Sequence, residues 1–390
     1  MPAANQHAAA VAPGERARLG AQAWVEWGLI LLLCFVAGGA PAPHVNETHY
    51  LAKAKHYWNP LYCPGDLFLD SADAHLVFYW TLGWLTKYCS LSAVAWIGRL
   101  AGWFLIAAGW LSLSRAILPR RWAAPAAALV WMVLLDKCDF SGEWVIGGLH
   151  GKGGVESKVF AYGCLMFGLA ALARGRWTAP WIWFGAASAL HALVGGWAVL
   201  AAGGVALTEP RPSRPRITVL LPGLVLGGLL ALPGLLPALA LDRGASASAA
   251  GEAARIYVFE RLPHHLAPAS LPTAEFLSRS LRFGLLVLAF AWLARWAGGA
   301  RRPVRPGTML AADGAPAHAP DLDALDRIIR FAAFALVGSC LGLAINIAGG
   351  RFPDAAAPLL RYYWFRQADV MTPLAVALGS ACFAAWLAER

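Results

Sequence analysis

The chain has 390 residues, of which 59% are hydrophobic and only 14% are charged, and its formal net charge is +10. A soluble domain usually has about 25% charged residues, so this composition excludes an ordinary soluble enzyme and favours a helical membrane protein. The basic residues lie in short clusters between apolar runs, a pattern typical of membrane anchoring, which argues against nucleic acid as a partner.

Apolar runs predict the membrane helices, several of them shorter than the ~20 residues that a perpendicular span needs. In chain order they cover residues 24–40, 91–114, 122–136, 158–173, 178–191, 193–208, 217–241, 281–297, 328–349 and 370–388. The prediction is an all-α polytopic membrane protein with about ten (9–11) transmembrane helices, in which residues 1–23 form an N-terminal tail and 24–390 a single transmembrane domain. The short aromatic segment 74–88 predicts an interfacial helix in the first outer loop.

Arginine clusters near residues 115–121, 174–176, 211–216 and 295–305 give the predicted orientation. The positive-inside rule places all four in the cytoplasm, together with both termini and a flexible linker, 298–327. The outer loops are then 41–90, 136–157, 242–280 and 350–369. Segment 179–207 must cross and return, which predicts two short helices that break near His191, Gly195 and Gly196. The composition is that of a GC-rich bacterial source, so we expect the inner membrane.

The first outer loop carries the leading candidate for catalysis. Glu47 follows the first span closely, where neighbours or partial burial can tune a carboxylate to act as a general base. Asp70 is a weaker candidate for a second acid or a substrate contact. The alternative is a solvated amphipathic helix beneath the headgroups. Cys63 and Cys89 are candidate partners for a disulfide if this loop faces an oxidising compartment.

The second outer loop places His150 and Lys152 among five glycines, just before a helix. Backbone N–H groups of such a loop can form an anion-binding nest, to which a lysine adds charge. A flexible loop, with Glu156 and Lys158 capping the next helix, is the alternative.

The third outer loop contains Arg261, His264 and His265 between two prolines. Adjacent histidines point in different directions, so this pair is a poor metal chelate. Hydrogen bonding to sugar hydroxyls or to a phosphate suits these three side chains better.

The fourth outer loop ends with Arg361, Arg366 and Asp369 beside three aromatic residues. An aromatic belt with snorkelling arginines accounts for most of this pattern. It accounts less well for Asp369, which is expected to form a local ion pair with Arg366. Arg99, inside the second span, is expected to pair with an acid of the first outer loop.

The order of a first span, an outer loop that opens on "NETHYL", interfacial helices and many further spans resembles the GT-C superfamily of membrane glycosyltransferases. The resemblance implies a polyprenyl-phosphate sugar donor and an early acidic pair that acts as base or assists a divalent metal. The matching position here reads Asn46-Glu47, so Glu47 alone can carry that role. No cofactor other than this metal is implied.

The chain resembles an uncharacterised, planctomycete-type family of bacterial multi-pass membrane proteins in four sequence segments. They are "NETHYLAKAKHYWNP", "GGVESKVFAYG", "RLPHHLAP" and "FRQADV". The leading hypothesis is a GT-C-like glycosyltransferase that acts at the outer face, with Glu47 as base and Lys152, Arg261 and Arg366 on the lipid phosphate. A transporter or lipid flippase is the alternative, as is a non-catalytic scaffold. Transporters concentrate their binding residues near the midplane, where Arg99 and His191 are candidates.

Overall fold

The computed structural model describes residues 13–146, 154–301 and 319–390, and within those ranges the chain is helical and has no β-strand. The helices are α1 (Pro13–Gly38), α2 (Val45–Trp58), α3 (Leu76–Trp80), α4 (Leu91–Ile117), α5 (Ala123–Lys137), α6 (Ser157–Ala173), α7 (Ala179–Leu190), α8 (Ala192–Thr208), α9 (Ile217–Leu239), α10 (Ala247–Arg255), α11 (Pro263–Leu266), α12 (Thr273–Ala300), α13 (Leu322–Gly349), α14 (Pro353–Leu360) and α15 (Arg366–Ala388). Single 3₁₀ or π turns connect some of them.

Six of these helices are long and apolar enough to cross a membrane. They are Gly20–Gly38 within α1, and the whole of α4, α9, α12, α13 and α15. Their length and composition confirm the expectation of an all-α, multi-pass membrane protein. The other four predicted apolar runs also form helices, α5 to α8, which are shorter.

The helices begin earlier than the apolar runs predict. α12 starts at Thr273 rather than 281, and α15 at Arg366 rather than 370, so parts of the expected outer loops belong to helices. The first turns are polar and therefore invisible to a hydropathy pattern, yet local contacts stabilise them, as between Glu275 and Arg279 at 2.7 Å. α1 likewise starts at Pro13, inside the expected tail, and α13 at Leu322, inside the expected linker.

The predicted break at His191 is present. This residue ends α7 and precedes α8, with an extended backbone (φ −147°, ψ 100°). α8 then folds back along α7. The two helices are so close that a Cβ on Gly195 would lie 2.1 Å from the hydroxyl of Ser188. The two short helices form a hairpin without an intervening loop.

Glycine allows α7 and α9 to pack with their backbones in contact. Gly223 and Gly227 of α9 lie four positions apart, and a Cβ on either would come within 2.2 Å of a carbonyl oxygen of Thr178 or Trp181. Small residues at this spacing let membrane helices approach closely, so dispersion and backbone contacts replace the missing hydrophobic drive.

Buried acids at the arginine-rich end of the bundle tie helix ends together. Glu26 of α1 accepts from Arg115 of α4 at 2.9 Å. Glu209, just after α8, accepts from Arg327 at 3.0 Å and from Arg330 at 2.5 Å, both on α13. Each acid is almost completely buried and satisfied by arginine, as a carboxylate in an apolar bundle must be.

Cys63 and Cys89 are free thiols, so the candidate disulfide is not formed. Cys63 lies on an exposed turn in the left-handed region (φ 54°), whereas Cys89 follows the 3₁₀ turn Leu82–Lys87 at the entrance to α4. The two cysteines belong to separate turns, a geometry that their positions in the sequence do not reveal.

Gly227→Ala should destabilise the protein by about 1–3 kcal/mol, because the new methyl group meets the Trp181 backbone, which cannot move aside easily. The neighbouring Gly228 has no atom within 4 Å of a Cβ, so Gly228→Ala is the matched control and should be neutral or slightly stabilising. Thermal unfolding in detergent micelles measures both. Equal midpoints for the two variants would contradict the close α7–α9 contact.

Candidate functional site

A buried non-helical segment forms the base of the candidate site. Residues 139–146, between α5 and α6, are all buried, although their backbone makes no helix or strand. Asp369 of α15 anchors this segment by accepting from the backbone N–H groups of Phe140 (3.0 Å) and Ser141 (2.7 Å) and from the Ser141 hydroxyl (2.7 Å). A buried coil needs such partners for its polar groups. Asp369 therefore positions the segment.

Glu143 of this segment lies at the centre of a charged cluster. Its carboxylate accepts from Arg366 Nε at 3.0 Å and from the Tyr162 hydroxyl at 3.4 Å, and Lys158 Nζ lies 3.2 Å away. Burial alone raises the pKa of Glu143, but the positive charges of Arg366 and Lys158 outweigh it and hold this pKa below its ordinary value. The Glu143 carboxyl group is therefore ionised at neutral pH.

Arg366 pairs with Glu143 and not with Asp369, so the expected local ion pair is wrong. Asp369 is occupied by the N–H groups of the buried segment, and the Arg366 side chain extends towards α6 and the α7–α8 break. Its Nη1 donates to His191 Nε2 at 3.1 Å, and its guanidinium lies 4.0 Å from the centroid of the Tyr363 ring.

His191 has one ring nitrogen that is not satisfied. Since Nε2 accepts from Arg366, the proton of a neutral His191 is on Nδ1, and this buried atom has no hydrogen-bond partner among the described residues. The ring of His75 lies 5.6 Å from that of His191, and that of Tyr50 is 5.2 Å beyond His75. Histidines and tyrosines thus line one side of the cluster.

A second carboxylate, Glu156, completes the cluster. It accepts from Asn46 Nδ2 at 2.9 Å, and Lys158 Nζ lies 3.7 Å from the same oxygen. The ammonium group of Lys158 also lies 4.0 Å from the centroid of the Trp144 ring. Two buried acids and two buried cations therefore balance, which suits a region with little water.

Glu47 and Arg99 form a separate buried pair, which confirms the partner predicted for Arg99. Arg99 donates to both carboxylate oxygens of Glu47 at 2.7 Å each, and to the carbonyl oxygen of Ala40. The N–H groups of Val155 (2.6 Å) and His44 (2.7 Å) also donate to this carboxylate. A carboxylate has about four acceptor sites, and Glu47 uses all of them here.

Gly154 permits this arrangement. Its φ is +107°, and a Cβ on it would lie 2.4 Å from Cγ of Glu47. Only glycine combines this backbone angle with such close approach. The loop before α6 can therefore lie directly on the Glu47 carboxylate, next to Asn46 and Glu156.

His265, in α11, also borders the cluster. Its Nδ1 lies 2.5 Å from the carbonyl oxygen of Ser141, so Nδ1 carries the proton and Nε2 is an acceptor. The His264 ring is 4.2 Å away, and that of Tyr363 is 6.2 Å away. Burial lowers the pKa of His265 to about 3, with Glu143 acting in the opposite direction, so the ring is neutral.

Other predicted site residues lie apart from these contacts. Asp70 is exposed and pairs with His56 at 3.0 Å, and Arg361 pairs with Asp242 at 2.7 Å. Arg261 is exposed. His150 and Lys152 lie outside the described residues. Within the described ranges, no group of three or more His, Cys, Asp or Glu side chains could hold a metal ion.

Glu143 and Glu156, the acids at the centre, were not among the site residues predicted from the sequence. Glu143 and Glu156 flank the Gly-rich segment of the sequence, and Lys158 is the second residue of α6. Two acids that flank a Gly-rich segment are only a weak signal in a sequence. Comparisons with protein-family models, with curated proteins and with solved structures found no match to this chain.

Glu47→Gln should destabilise the protein by about 3–5 kcal/mol, because it leaves the Arg99 charge buried without a counter-charge. Glu252→Gln is the control, since it removes an exposed ion pair with Arg255 (2.7 Å) and should leave the unfolding midpoint unchanged. Thermal unfolding in detergent compares them. A stable Glu47→Gln variant would show that the pair is dispensable for folding.

Stability should fall as the pH drops below about 6.5, the ordinary pKa of histidine. Burial lowers the pKa of His75 to about 4 in the folded protein, against an opposing effect of Glu156, and that of His265 to about 3. The unfolded chain therefore binds protons that the folded chain does not. Each histidine then contributes a slope of about 1.4 kcal/mol per pH unit until its folded pKa is reached.

Unfolding midpoints of wild type and His75→Gln between about pH 7.5 and pH 4.5 test this prediction. The variant should have the flatter pH profile, whereas the exposed His49→Gln should behave like wild type. Parallel profiles for wild type and His75→Gln would contradict it.

Proposed function

We propose that this protein is a GT-C-like membrane glycosyltransferase, whose reaction centre is the cluster formed by Glu143, Glu156, Lys158 and Arg366. The observation that carries the proposal is the position of these groups. Lys158 and Arg366 belong to the first turns of α6 and α15, so the cluster lies at one end of the bundle rather than halfway along it. A lipid-borne substrate would present its polar reactive end at this depth.

The membrane arrangement belongs to the same proposal. Ten helices, α1, α4 to α9, α12, α13 and α15, would cross the membrane in alternating directions. In support, Arg115, Arg174, Arg216 and Arg301 all lie at helix ends away from the cluster. By the positive-inside rule that end is cytoplasmic, with both termini, and the cluster faces outward from a bacterial inner membrane.

The proposed donor is a polyprenyl-phosphate-linked sugar. Arg366 and Lys158 would stabilise its phosphate, on which negative charge develops as the sugar leaves. The neutral rings of His265 and His75 offer hydrogen bonds to sugar hydroxyls without adding charge. Within the described ranges no donor set fits the divalent metal that the resemblance to the GT-C superfamily implies, so the proposed step is assigned to the side chains alone.

Glu156 is the proposed general base. The resemblance places an acidic pair at positions 46 and 47, of which the first is an amide here. The Asn46 amide donates to Glu156 at 2.9 Å, so a carboxylate from the loop before α6 occupies the neighbourhood of the absent acid. Glu47 has its acceptor sites filled and would serve to position Asn46.

In the proposed step, the acceptor hydroxyl gives its proton to Glu156 and its oxygen bonds to the anomeric carbon of the sugar. The bond between that carbon and the phosphate oxygen breaks, and polyprenyl phosphate leaves with the electron pair. Base catalysis of this kind typically contributes about 10²–10⁴-fold, beside the positioning of the two substrates and the stabilisation of the phosphate by Lys158 and Arg366.

Glu156→Gln should lower sugar transfer by about 10²–10⁴-fold, since glutamine still accepts from Asn46 but takes no proton, and retained donor binding separates this effect from the loss of a counter-charge for Lys158. The measurement uses lipid nanodiscs with polyprenyl-phosphate glucose and polyprenyl-phosphate mannose as donors and a bacterial lipid extract as acceptor. Glu260→Gln, at an exposed position, is the control.

Two outcomes would contradict the proposal. Full transfer by Glu156→Gln would remove Glu156 as base. A wild-type protein that binds neither donor would overturn the polyprenyl-phosphate assignment and favour the second candidate.

That second candidate is a transporter or lipid flippase. The α7–α8 hairpin supports it, because broken helices carry the binding residues of many transporters, and His191 at this break contacts Arg366. Counterflow of a labelled lipid phosphate in vesicles, lost in Arg366→Gln and retained in Glu156→Gln, would favour the carrier over the enzyme.

A further inference from the structure

Tyr363 has a backbone conformation that tyrosine rarely adopts. The residue lies in the turn between α14 and α15, and its φ of +54° is in the left-handed region. A side chain makes this conformation unfavourable, whereas glycine adopts it freely. An unfavourable backbone angle persists only where the surrounding contacts impose it, and such angles cluster at functional sites. The contacts of the Tyr363 side chain are therefore informative.

The Tyr363 ring covers one face of the Arg366 guanidinium. The guanidinium carbon lies 4.0 Å from the ring centroid, which is the geometry of a cation–π contact. Arg366 donates from Nε to Glu143 at 3.0 Å and from Nη1 to His191 at 3.1 Å, and Nη2 makes no hydrogen bond among the described residues. Two bonds fix one edge of the guanidinium and the ring fixes its plane, so the direction of Nη2 is determined.

Tyr257 in turn fixes the Tyr363 ring. The two hydroxyl oxygens are 2.8 Å apart, and the ring centroids are 6.5 Å apart. Tyr257 belongs to the π turn Ile256–Arg261, in which its carbonyl oxygen accepts from the N–H group of Leu262, five residues later, at 3.1 Å. Turns of this kind are rare and are frequent at functional sites. Two unusual backbone segments thus meet at one pair of hydroxyl groups.

Apolar packing alone does not account for these two tyrosines. Both border a small apolar cluster outside the main core, which includes Val258, Leu266 and Leu360. Phenylalanine or leucine would fill such a cluster without a hydroxyl group to satisfy. The hydroxyl pair and the cation–π contact are both directional, and together they lead from the π turn to Arg366.

We propose that Tyr363 is a positioning residue for Arg366, and that Tyr257 holds the Tyr363 ring in this role. The ring keeps the guanidinium in one plane, so that Nη2 is presented to a phosphate oxygen of the substrate. The inference rests on the proposed function, which it deepens by naming the side chains that orient Arg366. A guanidinium oriented in advance binds an anion without losing further conformational freedom.

Binding of farnesyl phosphate in phosphatidylcholine nanodiscs tests the inference apart from sugar transfer. Farnesol, which lacks the phosphate, corrects for partition into the membrane. Tyr363→Leu should weaken binding of farnesyl phosphate by roughly tenfold, the factor that 1.4 kcal/mol represents, because the ring face is lost. Tyr362→Leu is the matched control at the exposed neighbouring tyrosine and should bind like wild type.

A second set of variants separates the ring from the turn. Tyr363→Gly adopts the left-handed angle without strain, yet it should bind farnesyl phosphate as weakly as Tyr363→Leu, because it has no ring. Tyr363→Phe and Tyr257→Phe keep both rings and lose the same hydrogen bond. Each should weaken binding by about threefold, and the double variant should be no weaker than either single variant.

Sugar transfer gives a readout that a purely structural role would not change. Arg366 is proposed to act on charge that develops as the sugar leaves, so most of the loss of kcat/KM in Tyr363→Leu should be in kcat. Unfolding midpoints show that each variant is folded at the assay temperature. The Phe variants decide the question if Tyr363→Leu does not fold.

Four results would overturn the inference. They are unchanged binding in Tyr363→Leu, wild-type binding in Tyr363→Gly, additive losses in the double Phe variant, and a wild-type protein that does not bind farnesyl phosphate. Weaker binding in Tyr363→Leu, with no sugar transfer by wild type, would retain the positioning role and reject the glycosyltransferase. Equal sugar transfer by wild type and Tyr363→Leu would do the reverse.

Discussion

The buried pair of Glu47 and Arg99 fixes the geometry on which the candidate site depends. Arg99 is inside an apolar helix, where an unpaired guanidinium is highly unfavourable, and Glu47 is the carboxylate that satisfies it. Since Glu47 also accepts from the N–H groups of His44 and Val155, this one side chain joins the start of α2, the first half of α4 and the segment before α6. Asn46 and Glu156 meet because of this junction.

Charge is distributed over the bundle in small groups of paired acids and cations. Glu26 and Glu209 each face arginine at one end, whereas Glu143 and Glu156 face Lys158 and Arg366 at the other. At the arginine-rich end these contacts join helix termini. At the cluster end the ion pairs lie beside histidine and tyrosine rings that carry no charge. An anion that entered there would meet cations that are already oriented and whose counter-ions are fixed in place.

Much of the helical fold could be predicted from the sequence, because hydropathy reports burial in lipid directly. The break at His191 followed from the length between two basic clusters, and the pairing of Arg99 followed from the penalty of a lone charge in a span. The polar first turns of α12 and α15 could not be seen in that way. The sequence also could not predict that Arg366 pairs with Glu143 and not with Asp369. A spacing of three residues suggests contact between Arg366 and Asp369, but it does not reveal that N–H groups of a distant coil already bond the Asp369 carboxylate.

The buried coil at residues 139–146 explains why the centre of the site was invisible in the sequence. Its polar backbone is tolerated only because Asp369, from the far end of the chain, accepts its N–H groups. A hydropathy pattern predicts a loop for such a polar segment. The periodicity of apolar residues gives no signal either, because a coil has no regular repeat. Glu143 is therefore positioned by hydrogen bonds from its own segment's backbone to the side chain of Asp369, more than two hundred residues away. A site positioned in this way depends on tertiary contacts and not on a local motif. The acid that the sequence motif favours, Glu47, therefore differs from the acids that the fold brings together, Glu143 and Glu156.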